Sequence, residues 1–564
     1  MCTLYLVGTH TFIKFSRKPK HTHTHTHFVV DPFKQQEYLA TETSSKIKMA
    51  TEETAAQSLT MSLVEQANFT TPNVSAFKHA PMAEFWDRLV TVGIKVEVVN
   101  TDCDVAQYKT IQNGSIKISN ETTNNNSNNN NSPSNSQQTE KVYWIATVIK
   151  VCGYLAKLRY EGYEDDSSQD FWVYLFSDDV HGVGWCAAQN RALVPPKNIY
   201  RKLPDWTMYL IKKLTGARTL PANFGGLIKE SLQTRFRRGM KLEVVDKNRV
   251  SSVRVATIEM TIGGRLLVTY DGADPAVAGF WTHERSPLVH PIGWAQFVSH
   301  ELVATYEYAR ESLEKVNNKK FSPNDATWDM FDLPTNETPV GQRFEANMKL
   351  EAIDPLNLSS ICVATVIKVL RCNYLMIGID GSTCPTGSDW FCYHATSPCI
   401  FPAGFCKKNN IQLTPPPGSA SAGEFDWYKY LQETNSRAAP ETLFNTTIPD
   451  HGFREGMLIE ATDLMQSRLV CIATITRVVG RLLRVHFNGW DETFDQWCDC
   501  ESPDLFPWGW CELVGYPLEK IRDESDPSQV ILSPTEPNKR RRSSLKKSAK
   551  KKRNRAPKMT VTDS

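Results

Sequence analysis

The 564-residue chain lacks the features that mark several large protein classes. It has no run of 18 apolar residues, which excludes a membrane-spanning helix. Its 29 Gly and 31 Pro show neither the period nor the enrichment of collagen. Its 14 Cys include no CxxC pair, so the spacing of a zinc finger is absent. Cysteines scattered through hydrophobic runs, such as Cys152, Cys362 and Cys471, are typical of reduced, buried thiols of an intracellular protein.

The chain also lacks the short motifs of several enzyme classes. We find no P-loop, no GxSxG, no HExxH and no Rossmann fingerprint. Carboxylates and aromatic residues are present, but they form no arrangement of base, metal ligand or nucleophile. We therefore predict a protein that is not an enzyme and that needs no cofactor and no metal.

Positive charge is concentrated at the C-terminal end. Residues 539–558 contain 12 Lys and Arg and no acid. Without these bases and Asp563, 52 bases face 61 acids, a net charge of about −9. An acidic body is a poor candidate for wrapping nucleic acid, whereas the basic tail resembles a nuclear localisation signal and could make weak, non-specific nucleic acid contact.

Two segments of the chain have low sequence complexity. Residues 124–138 are almost all Asn, Ser and Gln, which predicts a disordered loop. Near the N-terminus, His alternates with Thr between His21 and His27. Alternate residues of a strand face one side and would suit a metal, but a translated CA dinucleotide repeat gives the same sequence. In that second interpretation, translation starts at Met49 or Met61.

The main signal is an internal repeat, carried by two markers. The first marker begins at four positions: Gly93-Ile-Lys-Val-Glu97, Gly239-Met-Lys-Leu-Glu243, Asn347-Met-Lys-Leu-Glu351 and Gly456-Met-Leu-Ile-Glu460. The second is a Gly followed by an aromatic residue: Trp185, Trp294, Phe405 and Trp510. These aromatic residues are spaced by 109, 111 and 105 residues. The first marker is spaced by 146, 108 and 109 residues, so the Asn-rich segment is an insertion in repeat 1.

Between the markers, the sequence predicts short β-strands. The segments 363–369, 471–478 and 481–487 are rich in β-branched or alternating residues and are bounded by turn signals. Several short strands in a unit of this size favour a small barrel. Segments 204–214 and 425–431 predict partly helical arms that pack on a neighbouring barrel.

These residues carry a resemblance to a known family. GMKLEA-x-D, ICVATV, HF-x-GWD-x-x-x-D-x-WC, SPD and GWC resemble the malignant-brain-tumour (MBT) repeat, over about residues 76–520. The four-copy plan is similar to that of the Scm-related four-MBT-domain proteins of the Polycomb group. The resemblance implies a mainly β fold: four Tudor-like small β-barrels with partly helical arms, in one compact array with disordered termini.

The repeats predict the following domain boundaries. Residues 1–75 are disordered and include any untranslated part, and residues 521–564 form a disordered basic tail. The intervening units are 76–198 (repeat 1, with an insertion at 120–139), 199–310 (repeat 2), 321–417 (repeat 3) and 423–520 (repeat 4).

The resemblance also implies a ligand, the mono- or dimethylated lysine of a histone tail, which enters a pocket at the mouth of one barrel. Such a pocket combines an Asp after the first marker with three aromatic residues in the pattern F-x-x-W-x-x-x-Y/F. Repeat 4 meets every requirement with Asp463, Phe487, Trp490 and Phe494, and Gln466 stands where Asn is common. The alternative is that these three aromatic residues are ordinary barrel core.

The other repeats depart from the pattern. Repeat 1 offers Asn100 with Tyr160 and Tyr163, repeat 2 keeps Asp246 and Tyr270 but has Ala273, and repeat 3 keeps Asp354 but has Ile379 and Ser382. Trp497 and Trp510 have apparent counterparts in other repeats, and we therefore assign them to the core or to an interface. The counterparts are Trp172, Trp281 and Trp390 for Trp497, and Trp185 and Trp294 for Trp510. Three acids beside the predicted pocket either steer a basic tail or form a solvated loop: Asp491, Glu492 and Asp495.

Several functions remain open at this point. The first is a nuclear chromatin reader that contributes to repression in a Polycomb-type complex, with a zinc-finger DNA-binding protein and other complex subunits as partners. The alternative is a non-catalytic scaffold of a chromatin-modifying complex, whose pocket is vestigial. Neither hypothesis requires a membrane.

Overall fold

A computed structural model describes residues 69–103 and 141–519, apart from 204, 274–278, 335–342, 383, 385–386 and 420–424. The predictions for residues 1–68, for the Asn-rich insertion and for the basic tail fall outside the described residues. Within the described residues, no helix combines the length and apolar character needed to cross a membrane.

Four sheets follow one another along the chain. Their strands, in order, are β1 (Lys95–Val99), β2 (Tyr143–Cys152), β3 (Leu155–Tyr160), β4 (Phe171–Tyr174) and β5 (Val180–Gly182); β6 (Lys241–Asp246), β7 (Arg249–Ile262), β8 (Arg265–Tyr270), β9 (Phe280–His283), β10 (Val289–His290) and β11 (Leu302–Val303); β12 (Met348–Asp354), β13 (Asn357–Val369), β14 (Tyr374–Ile379), β15 (Phe391–His394), β16 (Ile400–Phe401), β17 (Leu413–Thr414) and β18 (Arg437–Ala438); and β19 (Leu458–Thr462), β20 (Val470–Val479), β21 (Leu482–Phe487), β22 (Gln496–Asp499), β23 (Leu505–Phe506) and β24 (Leu518–Glu519). In each sheet the first five strands are antiparallel and lie in the spatial order 4-3-2-1-5. The mainly β fold with four repeats is therefore confirmed.

Each sheet is curled into a half-barrel. The second strand of every repeat shifts register at the same place, between Val148 and Lys150 in repeat 1 and between Ile475 and Arg477 in repeat 4. Such an extra residue bends a strand and increases its twist. Buried hydrophobic residues of the sheets form the cores. The 13 cysteines of the described residues form no disulfide bond with one another.

Short helices connect and follow the sheets. They are α1 (Trp86–Leu89), α2 (Trp185–Ala188), α3 (Lys197–Lys202), α4 (Trp206–Leu214), α5 (Phe224–Ser231), α6 (Trp294–Val298), α7 (Tyr306–Asn318), α8 (Phe405–Lys408), α9 (Trp427–Glu433) and α10 (Trp510–Val514). The two predicted arms are helical as expected, because Asp205 and Asp426 cap α4 and α9 by accepting backbone N–H bonds.

The two sequence markers are the two halves of one contact. The Glu that ends the first marker is buried in every repeat, and its carboxylate accepts two backbone N–H bonds from the second marker. In repeat 4, Glu460 accepts from Gly509 at 2.6 Å and from Cys511 at 2.8 Å. The same pair of bonds is made by Glu97, Glu243 and Glu351. The Gly has a positive φ, 85° at Gly509, which turns its N–H toward the carboxylate and explains why Gly begins the second marker.

The arms link the repeats in cyclic order. A segment of the next arm pairs with the first strand of repeats 1, 2 and 3, where Lys95, Lys241 and Lys349 make the contacts. The equivalent position of repeat 4 is Leu458, and its N–H donates to the carbonyl of Thr70 at 3.0 Å. The segment that precedes repeat 1 therefore completes repeat 4, as we expected of arms that pack on a neighbouring barrel.

Hydrophobic contacts also join the repeats. The core of repeat 1 continues into repeat 4, and Phe77 meets Phe453 edge to face at 5.1 Å between ring centroids. The β2–β3 turn of repeat 1 rests on repeat 4 so closely that a Cβ at Gly153 would lie 2.2 Å from the Trp508 carbonyl oxygen. The rings of Trp294 and Tyr374 meet edge to face at 5.0 Å and join repeats 2 and 3. The four repeats therefore share cores, and no side chain larger than hydrogen fits at Gly153.

We expect Glu460→Gln to lower the free energy of unfolding by about 2–3 kcal/mol, because an amide can accept only one of the two buried N–H bonds. Burial raises the pKa of Glu460 to about 7, so chemical denaturation should be measured at pH 8, where the carboxylate is ionised. Glu84→Gln, at an exposed position, is the matched control and should be neutral. Equal stabilities of the two variants would contradict a structural role for the buried Glu460 carboxylate.

Two histidines meet where three repeats come together. His79 of the first arm packs edge to face on His283 of repeat 2 at 5.1 Å and on Phe506 of repeat 4 at 5.6 Å. His79 keeps some exposed surface as a residue, but its Nε2 atom is buried. Burial, with a smaller contribution from Arg285, lowers the pKa of His79 to about 3, and burial lowers the pKa of His283 well below its usual value.

This junction should make the protein sensitive to acid. A histidine with a lowered folded-state pKa binds its proton mainly in the unfolded state, so stability is lost as pH falls below about 6.5. Each such histidine costs about 1.4 kcal/mol per pH unit below that value. Thermal denaturation between pH 7.5 and 5 should show a shallower loss for His79→Gln than for the unmodified chain, and parallel curves would contradict the assignment.

Candidate functional site

The predicted acid of repeat 4 lies at the start of a tight loop between β19 and β20. The side chain of Asp463 begins a 3-10 turn, Leu464–Gln466, and its Oδ1 accepts the N–H of Met465 at 2.9 Å and of Gln466 at 3.2 Å. The loop closes where the N–H of Asp463 donates to the Leu469 carbonyl at 3.1 Å. Gln466 is half-buried at the end of this turn, and its backbone N–H helps to orient the acid.

A third donor to the acid comes from a residue that the sequence interpretation missed. Gln496, the first residue of β22, is 2% exposed. Its Nε2 donates to Oδ1 of Asp463 at 3.2 Å, and its Oε1 accepts the N–H of Leu464 at 3.4 Å. All three donors use Oδ1, so Oδ2 has no hydrogen-bond donor among the residues that the structure describes. Burial raises the pKa of Asp463, while these donors and Lys247 oppose the shift.

The three predicted aromatic residues range from buried to exposed. Phe487, at the end of β21, is 3% exposed, Trp490 is half-buried, and Phe494 is 40% exposed. The Trp490 N–H donates to the Phe487 carbonyl at 3.1 Å, and the Trp490 and Phe494 rings meet edge to face at 5.7 Å. Asp491 caps the turn Glu492–Phe494 and so positions Phe494. The structure thus joins the two outer rings directly and ties them to the buried one.

The three neighbouring acids have different surroundings. Asp491 and Glu492 are exposed beside the outer rings. Asp495 is buried and pairs with Arg484 at 2.9 Å and with His486 at 2.8 Å. Asp495 therefore holds β21 in place, and the steering role that we considered for it is wrong.

In repeat 1, a phenylalanine fills the corresponding position. Strand pairing aligns Phe171 with Gln496, since Leu158 faces Phe171 as Val485 faces Gln496. The Phe171 ring packs on Tyr160 at 4.7 Å, and the Tyr160 hydroxyl donates to the Val99 carbonyl. Asn100, in place of the acid, is buried and donates to the Val194 carbonyl at 2.8 Å.

Repeat 2 keeps the acid and one aromatic residue, but Arg254 of the same repeat lies against both of them. The guanidinium carbon of Arg254 lies 4.6 Å from the Tyr270 ring centroid, and its Nη1 lies 4.0 Å from Oδ2 of Asp246. Phe280 is the equivalent of Gln496, and its ring packs on Tyr270 at 5.0 Å. An internal arginine therefore takes the place that a cationic ligand would need.

Among its described residues, repeat 3 has no aromatic cage at this position. Strand pairing puts Phe391 in the place of Gln496, and Ile379 in that of Phe487. The same register makes Cys392, not Trp390, the counterpart of Trp497, so the predicted equivalence of the two tryptophans is wrong. Trp390 instead covers Gly378 and Gly387, where an added Cβ would lie within 3 Å of its ring.

Repeat 4 thus offers what a small organic cation requires. Aromatic faces attract a cation, and a carboxylate oxygen without a protein donor can accept an N–H bond from it. In the part of the chain that the structure describes, no group of three or more His, Cys, Asp or Glu is placed to hold a metal.

Comparison with known proteins identifies the repeat. The sequence model of the mbt repeat matches residues 134–200, 240–309, 348–420 and 457–525. MBT domain-containing protein 1 of Mus musculus is 46% identical over 462 residues, which cover 82% of this chain and 66% of that protein. Polycomb protein Sfmbt of Drosophila melanogaster is 47% identical over 468 residues, 81% of this chain and 35% of that protein. The chain thus spans about two thirds of the first relative and about a third of the second.

A solved structure shows the same arrangement of repeats. The crystal structure of the four MBT repeats of Drosophila melanogaster Sfmbt, in complex with the peptide RHR(me)KVLR, superposes with a TM-score of 0.70 at 45% identity. The match covers 82% of this chain and 97% of that one. None of these three comparisons names an enzymatic activity.

Proposed function

The chain belongs to the MBT-repeat family, and from this premise we propose that it is a nuclear chromatin reader. It binds mono- or dimethylated lysine of histone tails through repeat 4 and contributes to transcriptional repression in a Polycomb-type complex. The methylated lysine in the Sfmbt complex and the Polycomb name of that relative support the ligand class and the setting.

One observation carries the proposal. Asp463, with Oδ2 directed to no protein donor among the described residues, belongs to the repeat that also has Phe487, Trp490 and Phe494. In the other three repeats, the position of Gln496 is a phenylalanine. The glutamine holds the acid in place and leaves out the ring that packs on Tyr160 and Tyr270 in repeats 1 and 2.

The chemistry of the ligand suits this set of residues. A methylated ammonium keeps its charge but is less strongly hydrated than a free ammonium, so aromatic faces compete better with water. Each favourable contact contributes about 0.5–2 kcal/mol. Mono- and dimethyl-lysine retain an N–H for Asp463, whereas trimethyl-lysine has none, so we expect the pocket to reject it.

A single pocket that recognises mainly the methylammonium binds weakly, so further contacts are needed. We propose that the basic tail adds weak, non-specific contact with nucleic acid, and that a zinc-finger DNA-binding protein and other Polycomb or chromatin-complex subunits supply the rest. If the pocket is vestigial, the protein is a scaffold of such a complex.

Binding should be tested by calorimetric titration of the full chain with RHRKVLR peptides whose lysine carries zero, one, two or three methyl groups. We expect the mono- and dimethyl peptides to bind best. Asp463→Asn should weaken their binding by about ten- to a hundred-fold, because it removes the acceptor of a charge-assisted bond. The matched control is Asp246→Asn, at the equivalent position of repeat 2, and should bind as well as the unmodified chain.

Two results would contradict the proposal. Equal losses for the two substitutions would move the pocket away from repeat 4. No binding of any peptide at millimolar concentration by the folded chain would favour the scaffold.

Gln496→Phe should close the pocket. We expect the new ring to pack on Phe487 as Phe171 packs on Tyr160, and to abolish binding of the monomethyl peptide without loss of thermal stability, since three repeats carry this residue. The denaturation midpoint serves as the control for folding. A variant that still binds with unchanged affinity would show that this position does not border the pocket.

A further inference from the structure

The pocket loop of repeat 4 is held from outside by repeat 2. Ser467 follows Gln466 in the loop and is buried. Its carbonyl oxygen accepts a hydrogen bond from Nη2 of Arg265, and its hydroxyl accepts one from Nζ of Lys247 at 2.8 Å. Both cations belong to repeat 2, so two side chains from one repeat hold a single residue of another.

The arginine is buried at this contact. Arg265, the first residue of β8, is 0% exposed, and its guanidinium carbon lies 4.5 Å from the centroid of the Tyr516 ring in repeat 4. The Tyr516 hydroxyl in turn donates to the Arg468 carbonyl at 2.7 Å, in the same loop. Asp504 of repeat 4 is also buried here, and its charge favours both cations of repeat 2.

The barrel itself does not require an arginine at this position. Strand pairing makes Leu155, Tyr374 and Leu482 the equivalents of Arg265 in the other three repeats. Burying a guanidinium is costly, and its Nε and Nη1 find no acceptor among the described residues. The fold of the repeat therefore does not account for this arginine, whereas its hydrogen bond to Ser467 and its contact with Tyr516 are both with repeat 4.

We propose that Arg265 and Lys247 are positioning residues for the repeat 4 pocket, which keep the Asp463 loop at a fixed distance from the aromatic residues. This inference rests on the proposed function for its effect on binding. A loop held at both the carbonyl and the hydroxyl of Ser467 keeps the pocket narrow, and a narrow pocket adds to the missing N–H in excluding the wider trimethyl form. Repeat 2, which has its own pocket filled by Arg254, thus acts on the selectivity of repeat 4.

The test compares Arg265→Leu, the residue found in repeats 1 and 4, with the unmodified full chain. We expect the affinity for the monomethyl RHRKVLR peptide to fall by about five- to twenty-fold. The ratio of the monomethyl affinity to the trimethyl affinity should fall by about threefold or more. Arg249→Leu removes the same charge from the same sheet, where Arg249 pairs with Glu301 of repeat 2, and is the matched control. Ser467→Ala removes only the Lys247 bond and should give a smaller change in the same direction.

Hydrogen exchange gives a measurement that needs no ligand. In Arg265→Leu, the amides of residues 463–469 should exchange faster, while the equivalent loop of repeat 3, residues 354–357, should not change. If the folded, unmodified chain binds no methylated peptide, the proposed function fails and the exchange result still decides the positioning role. Unchanged exchange of 463–469, or an unchanged preference in a chain that does bind, would overturn the inference.

Discussion

The buried carboxylate that accepts two backbone N–H bonds is the constraint on which each repeat depends. It connects the first strand of a sheet to the start of the helix that follows the fifth strand, and so extends the contact between these two paired strands beyond the end of their β-ladder. A buried glutamate is retained there four times because both of its oxygens have donors, as a buried polar group requires. The aromatic residue after the Gly then stacks on the fifth strand, as Trp510 does on Phe506 at 3.9 Å.

Much of the fold was predictable from the sequence because the repeat provides its own comparison. The markers around Glu460 and Trp510 gave four units, and the Asp-Trp pairs gave the helical arms. Gln496 was missed because the loop between the third and fourth strands differs in length in every repeat, which hides its alignment with Phe171, Phe280 and Phe391. The same length differences led to the wrong match of Trp390. Strand pairing, which no single segment encodes, is what restores these alignments.

The contact between repeats 2 and 4 was not predictable for a different reason. Arg265 and Lys247 have no periodic or local signal, and an arginine at the start of a strand is usually exposed. Only the packing of one repeat against another explains why these cations are tolerated. A pocket assembled from the residues of one repeat can therefore depend on a second repeat whose own pocket is closed.

The pairing of Thr70 with Leu458 has a consequence for how the chain reaches this structure. During synthesis, repeats 1, 2 and 3 are each completed by the arm that follows them directly in the chain. Repeat 4 is completed by a segment that left the ribosome almost 400 residues earlier. Such a distant contact adds loop-closure entropy and is expected to form late. The closure also links the two ends of the array, because a chain that lost repeat 4 would leave the segment at Thr70 without the strand that it contacts.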